Sequence, residues 1–299
     1  MVPKSNKNNN KPNGEITRIA IITGSSSGIG FETALKLARN GFHTYATMRN
    51  LEKSKNITEI ANTEKLPLQV VQLDVNDDIS VKNAINKIVS AAENKRIDVL
   101  VNNAGYGLFG PLEDLSIEDI KAQFETNFFG VIRVTQQVLP VMRKQTSGGG
   151  TIVNVSSVGG RMGIPVLSAY QSTKFALEGL SESMSYELEP FGIRVVIIEP
   201  GFIRTNIINS STSVEKALDP KSPYFQLMQK VKNHFKSMLE NESSSSPPEE
   251  VAKVILQVIT SENPQLRYTV GNDAATIIQA RMNMSDKEFR KMVIQNFSL

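Results

Sequence analysis

Tyr170 and Lys174 stand four residues apart in the run Ser-Ala-Tyr-Gln-Ser-Thr-Lys-Phe-Ala-Leu-Glu-Gly-Leu that spans residues 168 to 180. On a helix this spacing places phenol and ammonium on one face, one turn apart. A neighbouring ammonium favours the phenolate, so it is expected to draw the phenol down from about 10 toward neutrality, where it can exchange a proton with an alcohol or carbonyl oxygen. The same spacing also occurs on solvated helix faces that do no chemistry, so its company matters. That company begins at Thr23-Gly-Ser-Ser-Ser-Gly-Ile-Gly30, which follows an apolar strand pattern at Arg18 to Ile22 and precedes a helical pattern from Phe31 to Asn40. Glycines at a strand-to-helix turn let the backbone approach a pyrophosphate, and the helix N-terminus aims unpaired N–H groups at it. The order here is Gly-x-x-x-Gly-x-Gly rather than Gly-x-Gly-x-x-Gly, with the same mechanism available; a purely structural turn is the alternative.

Short apolar runs alternate with amphipathic ones along the chain, which predicts an α/β fold, a doubly wound parallel sheet of about seven strands with helices on both faces. Strands are expected near 17–23, 42–47, 68–73, 97–102, 151–156, 193–198 and 266–270, and long helices near 117–143 and 168–190, with Pro140 marking a bend close to the end of the first. Ligands of such sheets lie outside the carboxyl ends of the strands, where these motifs fall or lead. Ser157 follows one strand and could hydrogen-bond an oxygen whose charge changes during reaction, although Ser156 would serve as well on position alone. Asn127 lies within a predicted helix that it does not favour, so it holds either a polar task, such as a relay water, or an ordinary buried hydrogen bond. Asp74 ends a strand and reads equally as an acid at a helix N-terminus.

With 299 residues, 40% of them hydrophobic, the chain can bury a full core. The absence of cysteine excludes disulfides, thiolate catalysis and Cys-based metal sites and fits either redox compartment, and the two histidines, His43 and His234, lie too far apart in sequence to suggest a metal pair or a Ser-His-Asp triad. His43 reads as a strand-edge residue. No secretory signal or run long enough to span a membrane stands out, so a cytoplasmic protein is expected. The net charge of +3 comes from Lys4, Lys7 and Lys11, in residues 1–13 without an acid; the remaining 30 basic residues match 30 acidic ones. Residues 1–14 read as a disordered polar tail and 15–299 as one domain, with no nucleic-acid partner expected. Glu240 to Glu250 is serine- and proline-rich and reads as a mobile loop with a helix starting at its end.

The motifs Thr23 to Gly30, Asp74, Asn102-Asn-Ala-Gly105, Asn127, Ser157, Tyr170-x-x-x-Lys174 and Pro200-Gly201 occur in an order that resembles the short-chain dehydrogenase/reductase family, over about two-thirds of the chain from Ile16 to Thr205. The glycine spacing is similar to that of its compact single-domain branch, and Ser157 to Pro165 with Phe175 to Leu180 resemble 17β-hydroxysteroid and retinol dehydrogenases. The resemblance implies a Rossmann-type fold, a nicotinamide cofactor and hydride transfer to or from a secondary alcohol or ketone. It implies that Tyr170 is the general acid/base, Lys174 its pKa modifier and ribose contact, Ser157, thirteen residues before Tyr170, the clamp on the reacting oxygen, and Asn127 the relay. The cofactor contacts it implies are Gly24, Ser25, Ser27, Gly28, Ile29 and Gly30 in the first turn, Asp74 and Val75 at the adenine, Asn103, Ala104 and Gly105 at the ribose, and Pro200, Gly201, Ile203 and Thr205 at the carboxamide.

NADP(H) is the expected cofactor, with NAD(H) possible, because Met48 stands where an NAD-preferring member would place an acid and Arg49 beside it offers a fork suited to phosphate; Arg49 as a turn cap is the alternative. An apolar alcohol or ketone is the expected substrate, covered by a segment of about 206–247 and a C-terminal extension of about 264–299. Tyr106, Gly107, Val158, Ile164, Phe202 and Tyr224 are candidates to face it, with Met228, Met238, Met282 and Met284 as apolar lining or core. Apolar residues beyond one stripe on the two long helices, Val131, Val134, Val138, Phe175, Leu180 and Met184, predict a homodimer or homotetramer. An epimerase or dehydratase using the same Tyr and Lys, or a cofactor-sensing regulator without catalysis, are the alternatives; the glycine spacing disfavours the first and the complete Ser, Tyr and Lys set the second.

Overall fold

The computed structural model describes residues 17–92, 96–145, 148–205, 212–241 and 244–299. The tail expected at 1–14 lies outside them. Seven parallel strands form the main sheet: β1 (Ile19–Ile22), β2 (His43–Met48), β3 (Leu68–Gln72), β4 (Val99–Asn102), β5 (Gly150–Val155), β6 (Ile193–Pro200) and β7 (Arg267–Val270). Their spatial order is β3-β2-β1-β4-β5-β6-β7. Along β1 the side chains alternate between two cores, Ile21 with Leu100, Ile152 and Val134 on one face and Ala20 and Ile22 with Leu37, Val153 and Ile255 on the other. A strand buried on both faces has no polar side to show, which is why these segments read as continuous apolar runs. Helices α1 (Gly28–Arg39), α2 (Lys55–Thr63) and α3 (Asp78–Ala91) connect the first four strands.

The predicted helix 117–143 is α4 (Ile117–Phe124) and α5 (Gly130–Arg143), joined by a π-helical turn, Glu125–Phe129. Ser116 starts α4 with a capping box to Asp119. The π turn holds one extra residue per turn, a device found at functional sites, and it carries Asn127. Pro140 lies inside α5, which continues to Arg143. Next comes α6 (Ser168–Leu188), and after β6 follow α7 (Phe225–Glu240), α8 (Pro248–Thr260), α9 (Ala274–Asn283) and α10 (Asp286–Asn296). A two-residue pairing, Leu108–Phe109 with Thr212–Ser213, was not expected and is too short to leave a periodic pattern. No helix among the described residues is long and apolar enough to cross a membrane.

Several expectations need correction. His43 begins β2, an internal strand, and stacks on Tyr45. Of the apolar residues expected to be in excess on the long helices, Val131, Val134, Val138 and Met184 are buried in this chain's own core, Leu180 is partly buried against it and only Phe175, at 48%, is exposed; Phe129 at 47% and Tyr186 at 67%, not expected, are exposed as well. The serine-rich stretch before α8 is not loose over its described part. Ser245 and Ser246 are fully buried, the carbonyl of Ser245 accepts from the Arg204 guanidinium, and the Ser246 N–H donates to the carbonyl of Phe202. Composition marked the stretch as polar, but its hydroxyls and backbone are spent on the turn after β6. The helix expected at its end starts at Pro248.

A polar ladder crosses the core under the site. The Asn102 amide donates to Thr135 at 3.1 Å and to Asn154 Oδ1 at 2.9 Å; Asn154 Nδ2 donates to Ser181 Oγ at 2.8 Å, and Ser181 to the carbonyl of Leu177. It ties β4 and β5 to α5 and α6. Replacing Asn154 by Val should remove one of the two hydrogen bonds that each of Asn102 and Ser181 makes in the ladder and cost about 1–3 kcal/mol. Urea unfolding with an unchanged midpoint would show that the ladder does not stabilise the fold.

Candidate active site

The turn after β1 is shaped by the loop after β4. Asn103 Nδ2 donates to the carbonyls of Thr23 (2.9 Å) and Gly24 (3.1 Å), while Thr23 Oγ1 accepts from the Asn103 and Ala104 N–H groups. Gly24 has φ +69° and Gly28 φ +60°, the left-handed region that glycine occupies without strain. At Gly30 a Cβ would lie 2.4 Å from Asn103 Nδ2 and 2.4 Å from the carbonyl oxygen of Gly24, so this glycine serves packing of helix against turn. Helix α1 opens at Ser27 with no side-chain cap and no acid in its first turn. Its N–H groups are therefore available to an anion.

One cavity of about 1190 Å³ runs along the carboxyl ends of the strands. Of the residues expected at a cofactor, it is lined by Gly24, Ser27, Gly28, Ile29, Arg49, Asp74, Val75, Asn103, Ala104, Gly105, Pro200, Gly201, Ile203 and Thr205, together with Ser157, Tyr170 and Lys174. Lys53, unremarkable in sequence, joins Met48 and Arg49 there. Ser25 and Gly30 stand behind the wall; the Ser25 hydroxyl donates to the carbonyl of Ile22. An uncapped helix N-terminus, glycines that bring the backbone to the surface and two cations beyond it fit a phosphorylated dinucleotide. Ser27, Gly28 and Ile29 would meet the pyrophosphate.

Tyr170 and Lys174 face this cavity from the first turns of α6. The Ser157 hydroxyl hydrogen-bonds the Tyr170 phenol, receives the Gly159 N–H at 3.0 Å and lies 3.5 Å from the carbonyl of Pro200. Lys174 Nζ donates to the carbonyl of Val155 at 2.8 Å and sits 5.8 Å from the Tyr170 ring centre. The expected depression of the phenol is not what this arrangement produces. Burial pushes Tyr170 above its ordinary value and the Ser157 bond only opposes it. Burial brings Lys174 down from 10.5 to about 8, with the Glu178 carboxylate opposing.

Asn127 is buried, and its side chain is committed to protein. Oδ1 accepts the Tyr106 N–H at 3.1 Å, and Nδ2 donates to the Tyr106 carbonyl at 2.9 Å and to Thr173 Oγ1 at 3.3 Å. Thr173 in turn donates to the carbonyl of Tyr170 at 2.6 Å. The side chain thus braces α6 against the loop after β4. Val166, four residues before Tyr170, has φ +60°, an outlier for a β-branched residue, and its carbonyl accepts the Gly110 N–H at 2.9 Å.

Beyond Tyr170 the cavity is largely apolar. Tyr106, Gly107, Val158, Ile164 and Phe202 line it as expected; Tyr224 does not, its hydroxyl donating to Glu113 at 2.7 Å. Met238 contributes as expected, but Met228 belongs to a separate core cluster and Met282 and Met284 are exposed; Met162 and Met292 take their place. His234 also lines the cavity, its ring centre 4.4 Å from that of Phe297, and burial lowers its pKa. No local pattern brings His234 and the aromatic residues of α10 together; only the fold back onto the site does.

A family model described as short chain dehydrogenase matches residues 18–216. The uncharacterized oxidoreductase YusZ of Bacillus subtilis is 43% identical over 85% of this chain and 89% of its own. Retinol dehydrogenase 8 of Bos taurus is 41% identical over 84% of this chain and 80% of its own. Among solved structures, ElxO with NADP bound superposes with a TM-score of 0.71 at 29% identity, covering 87% of this chain and 99% of that one. The chain belongs to the short-chain dehydrogenase/reductase family, oxidoreductases that act on alcohol or carbonyl groups with a nicotinamide cofactor.

Proposed function

We propose that this enzyme uses NADP(H) to interconvert a secondary alcohol and a ketone within a largely apolar substrate. The observation that carries this reading is the Ser157–Tyr170 hydrogen bond beside Lys174, in the same cavity as the uncapped N-terminus of α1. When bound, the cofactor would supply or accept the hydride. In the reductive direction Tyr170, protonated at neutral pH because burial raises its pKa, gives its proton to the carbonyl oxygen. Ser157 hydrogen-bonds that oxygen as negative charge develops on it. The Lys174 charge supports the phenolate that is left, and Asn127 holds the Tyr170 backbone through Thr173. In the oxidative direction the phenolate takes the proton back.

Residues 15–299 act as one catalytic unit in this proposal. Phe235, Phe289 and Phe297 supply apolar walls with Phe202, so the described parts of the expected covering segments, 212–241, 244–247 and 264–299, would close over the substrate, while 206–211 and 242–243 lie outside the described residues. A drug-sized ligand occupies about 300–1,000 Å³. The cavity of about 1190 Å³ has room for more than one, as cofactor and substrate together require. The identity of retinol dehydrogenase 8 is in keeping with an apolar substrate.

Three outcomes are expected. Tyr170→Phe should lower kcat by about a hundred- to ten-thousand-fold while NADPH fluorescence titration shows unchanged binding, because only the ionisable oxygen is lost. Near wild-type turnover of any substrate found among steroids, retinoids, medium-chain ketones and sugars would refute the assignment.

Catalytic efficiency should favour NADPH over NADH, and Met48→Asp should move the ratio toward NADH by about ten- to a hundredfold, as a phosphate meets a carboxylate in place of a buried methionine. A wild-type preference for NADH that the Asp variant leaves unchanged would contradict it.

The exposed rings of Phe129, Phe175 and Tyr186 support a homodimer or homotetramer through α5 and α6. Light scattering that reports a monomer across a wide concentration range would count against this.

A further inference from the structure

Behind Lys174, away from the cavity, six charged groups gather where four elements meet. Glu178 follows Lys174 by one turn of α6 and is 5% exposed. Arg267 of β7 donates to the Glu178 carboxylate at 2.9 Å and to Glu182 at 2.5 Å, and lies 3.8 Å from Glu199 of β6. Glu199, 2% exposed, accepts from Arg161 at 2.9 Å. The hydroxyl of Ser156, at the end of β5, lies beside the Glu178 side chain. These groups converge tightly. A Cβ on Gly160 would stand 2.8 Å from Ser156 Oγ, 2.9 Å from Glu178 Cγ and 3.1 Å from the carbonyl oxygen of Lys174.

We propose that Glu178 is a positioning residue for the Tyr170–Lys174 pair, its buried carboxylate holding Lys174 as an ammonium while Arg267, shared among Glu178, Glu182 and Glu199, sets how much of that negative charge the lysine feels. The inference rests on the acid/base reading of the pair given above. Its physical basis is that Lys174 is 7% exposed and its one hydrogen-bond acceptor among the described residues, the carbonyl of Val155, carries no net charge. A buried ammonium without a nearby anion sheds its proton. The charged groups around Glu178 are Lys174 and Glu182 on α6, Glu199 on β6, Arg267 on β7 and Arg161 after the turn at Val158–Gly160, three cations with three anions counting Glu178 itself. Removing Glu178 leaves an excess positive charge beside the lysine, and removing Arg267 leaves an excess negative one.

The test is a titration of Lys174 in the unliganded full chain. Lysine labelled with carbon-13 at the ε position reports each amine by NMR, and the Lys174 signal is assigned by its absence in Lys174→Met. In the wild type the midpoint should fall near 8. Glu178→Gln should weaken the proton affinity of Lys174 by about tenfold or more. The alkaline limb of kcat/KM for ketone reduction should move to lower pH with it, and Glu178→Asp should restore much of both. A Lys174 midpoint that does not move in folded Glu178→Gln overturns the proposal. Should that variant fail to fold, Arg267→Gln decides the matter, since it must raise the Lys174 midpoint and a fall or no change overturns the proposal equally. Tyr170→Phe separates this from the parent reading: if that variant is inactive yet Glu178→Gln leaves the lysine unmoved, only the role of Glu178 is lost, whereas an active Tyr170→Phe removes the acid/base assignment itself.

Discussion

The backbone of the turn after β1 approaches the loop after β4 so closely that side chains beyond hydrogen cannot be accommodated, and the site depends on this contact. Thr23 and Gly24 accept four hydrogen bonds from Asn103 and Ala104 across it, and Gly24 and Gly30 fit only because they lack a Cβ. The contact fixes where α1 begins, so it also fixes where the uncapped N–H groups point. It joins the first strand to the fourth, the neighbours β1 and β4 at the centre of the sheet.

On the other side of the same cavity the governing constraint is electrostatic. A phenol and an ammonium are both withdrawn from water, which raises the pKa of one and lowers that of the other, so burial opposes the ionisation of both. What offsets this is a set of polar contacts reaching in from separate elements: Ser157 on the phenol, the carbonyl of Val155 on the amine, and the carboxylate of Glu178 behind it. Asn127 extends the set by holding the loop at Tyr106 and the helix at Thr173 together from a π turn. An ordinary helical turn would space the residues before and after it differently.

The substrate end is built from the least regular parts of the chain. Asp273 shows how it is anchored: both of its carboxylate oxygens accept the Phe202 N–H at 3.0 Å, and Gly201 has no room for a Cβ against it. The start of α9 thereby grips the turn after β6. Through that grip α9 and α10 are laid over the cavity, which brings Ile277, Phe289 and Phe297 to its wall.

The amino-acid sequence by itself determined the seven strands, the glycine turn and the Tyr and Lys one turn apart, because these depend on local periodicity and on spacings within one element or at its end, whereas position alone left Ser156 and Ser157 equal. Continuous apolar runs such as Ile19 to Ile22 report burial on two faces, and four-residue spacing reports one helix face, whatever the rest of the chain does. The environment of those residues was decided only by the tertiary structure. Val134, Val138 and Met184 looked like an excess apolar surface and proved to be core, because exposure depends on what packs above a helix. Tyr224 looked toward the substrate and bonds Glu113 instead; His234, which its distance from His43 in sequence kept out of any metal pair, lines the cavity. The pKa of Tyr170 belongs to the same class. Spacing along one helix brought the ammonium near, but the burial that outweighs it comes from segments distant in sequence, and only folding brings them together.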